Sequence, residues 1–249
     1  MPLLKDLAIS LRRLDYSETS QVLVLFTREY GQQRVIAKGI KRSTSRRGAV
    51  GIDLLELGHV VFSVRPGRED ALATLTEWRQ EDGFPHLRTN LLRLYAAEYA
   101  AEVTSRLTEV QDPHPRLFDG LLTLLASLAE ADPMTALVGY LWILLSEIGL
   151  RPELTRCVSC GGGVVGDRVV FFSSRQGGAI CRDCEPAAIE KRQIAPAVAT
   201  VLPRPGPVPA PLAMACFDLL EYHLTEIMSR PSPVARLLRQ AWHAAGGRS

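Results

Sequence analysis

Gln21-Val-Leu-Val-Leu-Phe-Thr27, Glu29-Tyr-Gly-Gln32 and Gln33-Arg-Val-Ile-Ala-Lys-Gly39 decide the fold of the first third of this chain. The first stretch is a run of β-formers, and the last returns with Val35 and Ile36 at its centre. Between them Gly31 offers a residue free to take positive φ, as a tight turn requires. Together they read as an antiparallel hairpin. Working outward, residues 8–14 give a strand before it. Residues 55–65 give a long strand after it, with Val60, Phe62 and Val64 on one face by period two. Pro66-Gly67 turns the chain, and residues 71–78 form a fifth strand. Five short strands in about eighty residues predict a small closed barrel, and the OB-fold is the commonest five-stranded solution.

After Pro85 the period changes. Leu92, Tyr95, Tyr99, Val103 and Leu107 recur at helical spacing. Asp112-Pro-His-Pro115 ends that helix, residues 117–131 make a second, and Asp132-Pro133 opens a third with proline in its first turn. The apolar run 137–148 is too short to cross a bilayer and reads as a buried helix, so no membrane partner is expected. Residues 203–211, rich in proline, form a stiff extended connector. Two last helices are expected at about 213–228 and 232–245. The predicted class is α+β: a five-stranded OB barrel over residues 1–80, then an α-helical domain over 81–249. A four-cysteine module is inserted into that domain at about 151–190.

That module reads Cys157-Val-Ser-Cys160, twenty residues, then Cys181-Arg-Asp-Cys184. Two Cys-x-x-Cys pairs at this separation have the spacing of one tetrahedral zinc site. Four thiolates leave no open position for water or substrate, so a single zinc here is structural rather than catalytic. Other readings exist. Two disulfides need an oxidising compartment, and Met1-Pro-Leu-Leu-Lys-Asp6 lacks the basic-then-apolar pattern of a secretory signal. Iron fits tetrahedral sulfur sites as well. A redox Cys-x-x-Cys would make the two pairs separate sites. Cys216 stands alone in an apolar stretch and reads as a buried small hydrophobe.

The 249 residues carry a net charge of +2, unevenly spread. Residues 1–80 hold thirteen Lys/Arg against nine Asp/Glu, and the remainder sixteen against eighteen. A basic first domain on a mildly acidic body points to a polyanion as partner. Arg28, Arg34, Lys38, Lys41, Arg42, Arg46 and Arg47 cluster within twenty residues, opposed there only by Glu29. Such a run can be a solvated loop. Beside an OB barrel it is the electrostatic footprint of nucleic-acid binding through phosphates. Tyr16, Phe26 and Tyr30 are aromatic candidates for stacking. Arg12 and Arg13 are adjacent in a strand, so at most one joins the groove. No phosphate-cradling, nucleophile-elbow or dinucleotide motif is present, and the five histidines are scattered, so no enzyme is expected.

Several blocks resemble one family. Glu18-Thr-Ser-Gln-Val-Leu-Val-Leu-Phe-Thr-Arg-Glu-Tyr-Gly31 and Val35-Ile-Ala-Lys-Gly-Ile-Lys-Arg-Ser-Thr-Ser-Arg-Arg-Gly48 are similar to the opening of bacterial DNA repair protein RecO. Glu147-Ile-Gly-Leu-Arg-Pro-Glu-Leu-Thr-Arg-Cys-Val-Ser-Cys160 and Phe172-Ser-Ser-Arg-Gln-Gly-Gly-Ala-Ile-Cys181 resemble its cysteine module. Two positions depart from it: Ser17 stands where a glycine is expected, and Gly51-Ile52 where a Gln-Pro pair is common. The resemblance implies a non-enzymatic, cytoplasmic, nucleoid-associated recombination mediator. It would bind single- and double-stranded DNA and anneal complementary strands. It would work with a RecR-like partner to load a RecA-type recombinase, and contact the C-terminal tail of single-stranded DNA-binding protein. By position, Arg34, Lys38, Lys41, Arg42, Arg46 and Arg47 would contact DNA and the four cysteines would hold zinc. Some members lack the cysteines, so the metal is not essential to the family's activity. The alternatives are a nucleic-acid enzyme or transcription-type factor with a zinc ribbon and a barrel, and an adaptor whose basic loop meets an acidic protein.

Overall fold

The computed structural model describes residues 2–41, 51–64, 72–164, 166 and 169–246. Five strands, β1 (Leu3–Asp15), β2 (Gln21–Thr27), β3 (Gly31–Ala37), β4 (Leu57–Ser63) and β5 (Ala73–Asp82), close into a barrel in the order β1-β2-β3-β5-β4. This is the expected five-stranded OB barrel. All pairings are antiparallel except β3 with β5, which meet in parallel through Val35↔Ala73 and Ile36↔Thr74. The interior is filled by Ala8, Leu23, Leu25, Val35, Ala37, Val60, Phe62, Leu75 and Trp78. Leu23 and Leu25 alternate with outward Val22 and Val24, as a half-buried strand must.

β1 begins five residues earlier than its own propensity suggests, because residues 3–9 pair with β4. Its register slips between Ser10 and Arg12, leaving Leu11 as a bulge. The chain divides into two compact units: Met1–Thr89 with Ala100–Ala126, and Asn90–Tyr99 with Ser127–Ser249.

The barrel's unit includes the C-terminal part of α1 (Leu91–Leu107) and α2 (Pro115–Ser127). The β2–β3 turn is sewn to the α1–α2 connection. Gln32 bridges Val110, Gln111 N–H donates to the Gln32 carbonyl at 3.0 Å, and Phe26 packs on Phe118 with ring centroids 5.9 Å apart. The Arg28 guanidinium forks onto Asp119, with both nitrogens at 2.9 Å.

In the second unit α3 (Pro133–Glu147) starts where the sequence signals it. Asp132 accepts from the Thr135 N–H at 2.8 Å, and Pro133 opens the first turn. α3 packs on α5 (Ala210–Met228). α6 (Pro233–Ala244) is capped by Ser232, which accepts from the Ala235 N–H at 3.1 Å. A short α4 (Pro196–Val201) precedes the proline-rich connector, whose last two residues, Ala210 and Pro211, already belong to α5. Between α3 and α4 lies a three-stranded sheet in the order β7-β6-β8, from β6 (Val170–Ser173), β7 (Gly178–Ile180) and β8 (Arg192–Ile194). Among the described residues no helix is long and apolar enough to cross a membrane.

Candidate metal centre and candidate nucleic-acid interface

The cysteine module is built from two tight turns and a hairpin. In the first turn the Gly161 N–H closes on the Cys157 carbonyl at 2.8 Å, with Gly161 at φ +76°. In the second, the N–H groups of Cys184 and Glu185 close on the Cys181 carbonyl. The β6–β7 hairpin brings the turns together. Val158 N–H donates to Ala179 O at 2.9 Å, and Gly178 lies so close to Glu153 that an added Cβ would stand 2.4 Å from the Glu153 carbonyl oxygen. Glu153 braces the approach by accepting from the N–H groups of Thr155 and Arg156.

The four sulfurs lie within 4.8 Å of one another, and Cys160 Sγ is 3.8 Å from Cys181 Sγ. Sulfurs bonded to one tetrahedral zinc at about 2.3 Å stand about 3.8 Å apart. The cysteines are therefore placed to hold one metal ion, and none of the four is in a disulfide. Their protonation fits the same purpose. Burial works to raise the Cys157 thiol, but hydrogen bonds from the backbone N–H groups of Cys181, Cys160 and Ser159 outweigh it and bring it down to about 6. The Cys184 thiol is pushed up to about 12, first by its hydrogen bond to Cys181 and then by that to Cys160. A metal ion takes cysteine as thiolate, so binding there would release protons.

The module is pinned to α5 by a polar network. Glu190 accepts from Ser173 Oγ at 2.7 Å, from the N–H groups of Ser174 and Arg175, and from the Tyr222 hydroxyl. Burial opposes its charge, but these donors outweigh burial and hold its carboxyl below the ordinary range. His223 is 4 % exposed. Its Nε2 faces the Leu150 carbonyl at 3.0 Å and must donate, so Nδ1 accepts from Ser174 Oγ at 2.7 Å. Both side chains are buried, and through them the hairpin and the Leu150 carbonyl are braced against α5.

Burial drives the His223 pKa below 6.5, outweighing the Leu150 carbonyl, which raises it. The unfolded chain then binds more protons than the folded one once pH falls below about 6.5. Stability from neutral His223 is complete above that value and declines as pH drops toward the folded pKa. Thermal melts from pH 7.5 to pH 5 should show this loss, and His223→Gln should flatten it. An unchanged acid slope in the variant would assign the slope to other groups.

The cationic candidates fall into three groups. Arg34, in β3, and Lys38, just after it, are exposed. Lys41 is 2.6 Å from Asp15, whose carboxyl it holds low, and its side chain is only 19 % exposed. Arg28 is taken up by Asp119 and Glu29. Arg42, Arg46 and Arg47 lie outside the described residues. The bulge at Leu11 decides between the two arginines of β1. It sets Arg12 in register with Val24, which is itself opposite Arg34, so Arg12, Val24 and Arg34 form one row across three strands. Arg13 turns to Asp53 at 2.8 Å. No sequence signal locates such a bulge, which is why Arg12 could not be singled out earlier. Gly51 and Ile52 are locked to the barrel: Gly51 takes φ +72°, and the Ile52 N–H donates to Gln21 Oε1 at 3.0 Å.

Comparison with known proteins agrees with this architecture. Residues 1–84 match the family model described as Recombination protein O N terminal, and residues 88–204 match Recombination protein O C terminal. DNA repair protein RecO of Desulfitobacterium hafniense is 34% identical over 178 residues, 72% of this chain. The match spans 63% of that relative's length, under two thirds. RecO of Pelotomaculum thermopropionicum is 37% identical over 74% of this chain and 69% of its own. RecO of Anaeromyxobacter dehalogenans is 32% identical over 97% of this chain and 89% of its own. With both family models matched in chain order and relatives of this similarity aligned along most of its length, the chain belongs to the RecO family of DNA repair proteins.

Proposed function

We propose that this protein is a non-enzymatic recombination mediator that binds DNA through its OB barrel, anneals complementary single strands and helps load a RecA-type recombinase. The observation that carries the reading is the cationic row on the barrel's outer face, Arg12 and Arg34 in cross-strand register with Lys38 following, on a chain of a DNA repair family. Annealing breaks and makes no covalent bond. It requires two polyanions to approach, and basic side chains that neutralise phosphates and release counterions lower that repulsion. Contacts made mostly to phosphate leave base edges free to pair.

Residues 1–80 are the DNA-binding domain in this reading, with Arg34, Lys38, Lys41, Arg42, Arg46 and Arg47 on the sugar–phosphate chain. Arg28 supports them indirectly by fixing the β2–β3 turn to α2. The four cysteines hold one structural zinc, which contributes folding and no chemistry. Residues 81–249 offer surfaces for a RecR-like partner and for the C-terminal tail of single-stranded DNA-binding protein. A pocket of about 320 Å³ lined by Trp142, Arg151, Pro152, Glu153, Leu154, Thr155 and Pro203 combines an aromatic wall with a guanidinium and a carboxylate, and an apolar peptide side chain beside one acidic group is what its Trp142 and Arg151 side would take. A cytoplasmic, nucleoid-associated location follows from DNA as the ligand.

The test is a salt titration of oligonucleotide binding. Replacing Arg34 and Lys38 with Ala should weaken binding and lower the slope of log affinity against log salt by about 1.4 on single strands, about 0.7 per lost phosphate contact. Changing Lys41, Arg42, Arg46 and Arg47 together should lower it further. Unchanged affinity and slope in both variants would reject the reading. A nucleotide hydrolysis assay should show no turnover, and turnover above background would favour an enzyme.

A further inference from the structure

Lys41 is a cation that lies under a carboxylate. Its ammonium stands 2.6 Å from Asp15 Oδ1, and the lysine side chain is 19% exposed against 65% for the aspartate. The acid is the outer partner and stands on the open side of the charge it neutralises. The pair is not what holds the backbone there. The Lys41 N–H donates to the Thr19 carbonyl at 3.3 Å, and the Tyr16 N–H beside Asp15 donates to the Ser20 carbonyl at 3.0 Å. Asp15 is aimed by Gln21, its cross-strand partner, which is 1% exposed. Gln21 Oε1 accepts from the Ile52 N–H at 3.0 Å, and this leaves Nε2 to donate to Asp15 Oδ1 at 3.4 Å. Arg28 differs, since its fork onto Asp119 joins the β2–β3 turn to α2. A single lysine contact on an exposed acid contributes little to stability and exchanges readily.

We propose that Asp15 is an internal competitor for Lys41: it holds the ammonium in the free protein and gives it up when a phosphate takes its place. This rests on the reading of the barrel as the DNA-binding domain and adds to it a residue that sets how tightly DNA is held. An ammonium has three donors, but Asp15 stands on the open side of Lys41, so a phosphate arrives where the carboxylate already is. Two anions at one ammonium repel each other. Binding through Lys41 therefore exchanges one ion pair for another, and its net gain is smaller than for a cation that starts in water. The displaced Asp15 then faces a polyanion and opposes it. This suits annealing. Strands that are brought together must be let go once paired, and an acid that reclaims the lysine favours release without a chemical step.

The experiment uses the full chain and a thymidine oligonucleotide in a salt titration, with Asp15→Asn, Lys41→Gln and the two combined. Asp15→Asn keeps the shape of the side chain and removes its charge. It should bind about threefold tighter, the size of an exposed ion pair. The slope of log affinity against log salt should steepen by up to about 0.7, one single-strand phosphate contact. Such a gain is not something misfolding imitates. Lys41→Gln should weaken binding, and adding Asp15→Asn to it should change nothing further, because the competitor has lost its object. Tightening as large without Lys41 as with it would mean that Asp15 acts only through the general field of the protein. Unchanged or weaker binding by Asp15→Asn alone would make the acid a brace that presents the lysine. Either result overturns the proposal. The wider reading is judged separately by Arg34→Ala with Lys38→Ala. A loss of affinity there leaves DNA binding by the barrel standing when the Asp15 result fails. No loss there and none for Lys41→Gln removes both.

Discussion

Cys157→Ser is expected to remove bound metal and unfold residues 151–190 while the barrel stays folded. The reason is how little else holds the module. Its three strands have four, three and three residues, shorter than a sheet that stands without support. The network through Glu190 and His223 anchors only its base. No disulfide joins the two turns, so an ion held by all four cysteines would be their one direct tie through the side chains. Structural zinc in small cysteine sites contributes about 10 kcal/mol or more of apparent folding free energy, comparable to the whole stability of a domain. Loss of one thiolate of four forfeits much of that. Hydrogen exchange should show Val158 and Ala179 amides losing protection while Leu23 and Leu25 keep theirs, and metal analysis should fall from about one ion per chain. Full protection in a metal-free, reduced wild-type protein would refute the structural role. A chelator should reproduce the variant's exchange pattern.

Gly31→Val should be the most damaging single change in the barrel's unit. Gly31 has φ +64°, where a β-branched residue is strained, and an added Cβ would stand 2.1 Å from the Asp112 carbonyl oxygen. Both the turn and the backbone of the α1–α2 connection would have to move. With strain and overpacking each costing about 1–3 kcal/mol, the loss should reach about 3 kcal/mol or more. The displaced turn carries Arg28, whose fork onto Asp119 would break, and β3 behind it carries Arg34. Denaturant melts should show the destabilisation, and DNA affinity should fall without any charge having been removed. A midpoint within experimental error of wild type would mean that the connection yields freely.

The hairpin was readable because alternation and a turn glycine are local signals, and the structure places β2 at the expected residues. The cysteines were readable because a Cys-x-x-Cys turn aims its own sulfurs. What escaped was imposed from a distance. Leu3-Leu-Lys-Asp-Leu7 has weak strand propensity and is a strand only because β4 lies beside it. Arg192-Gln-Ile194 is a strand only through β6. α4 spans six residues, too few for periodicity to register. At the interface, Arg28 reads as a free cation until Asp119, ninety-one residues away, is seen to hold it. Arg12 and Arg13 are indistinguishable until a bulge sorts them.

The parallel seam between β3 and β5 has an evolutionary corollary. Because Val35↔Ala73 and Ile36↔Thr74 shut the barrel, and β4 between them is paired with both β1 and β5, the intervening chain is divided into two tethered circuits, each with both ends fixed. Doubling the length of such a circuit costs only about 0.6 kcal/mol in closure entropy. Insertions into either circuit can thus accumulate at little expense to the fold, and their length can diverge between species while the barrel itself stands still.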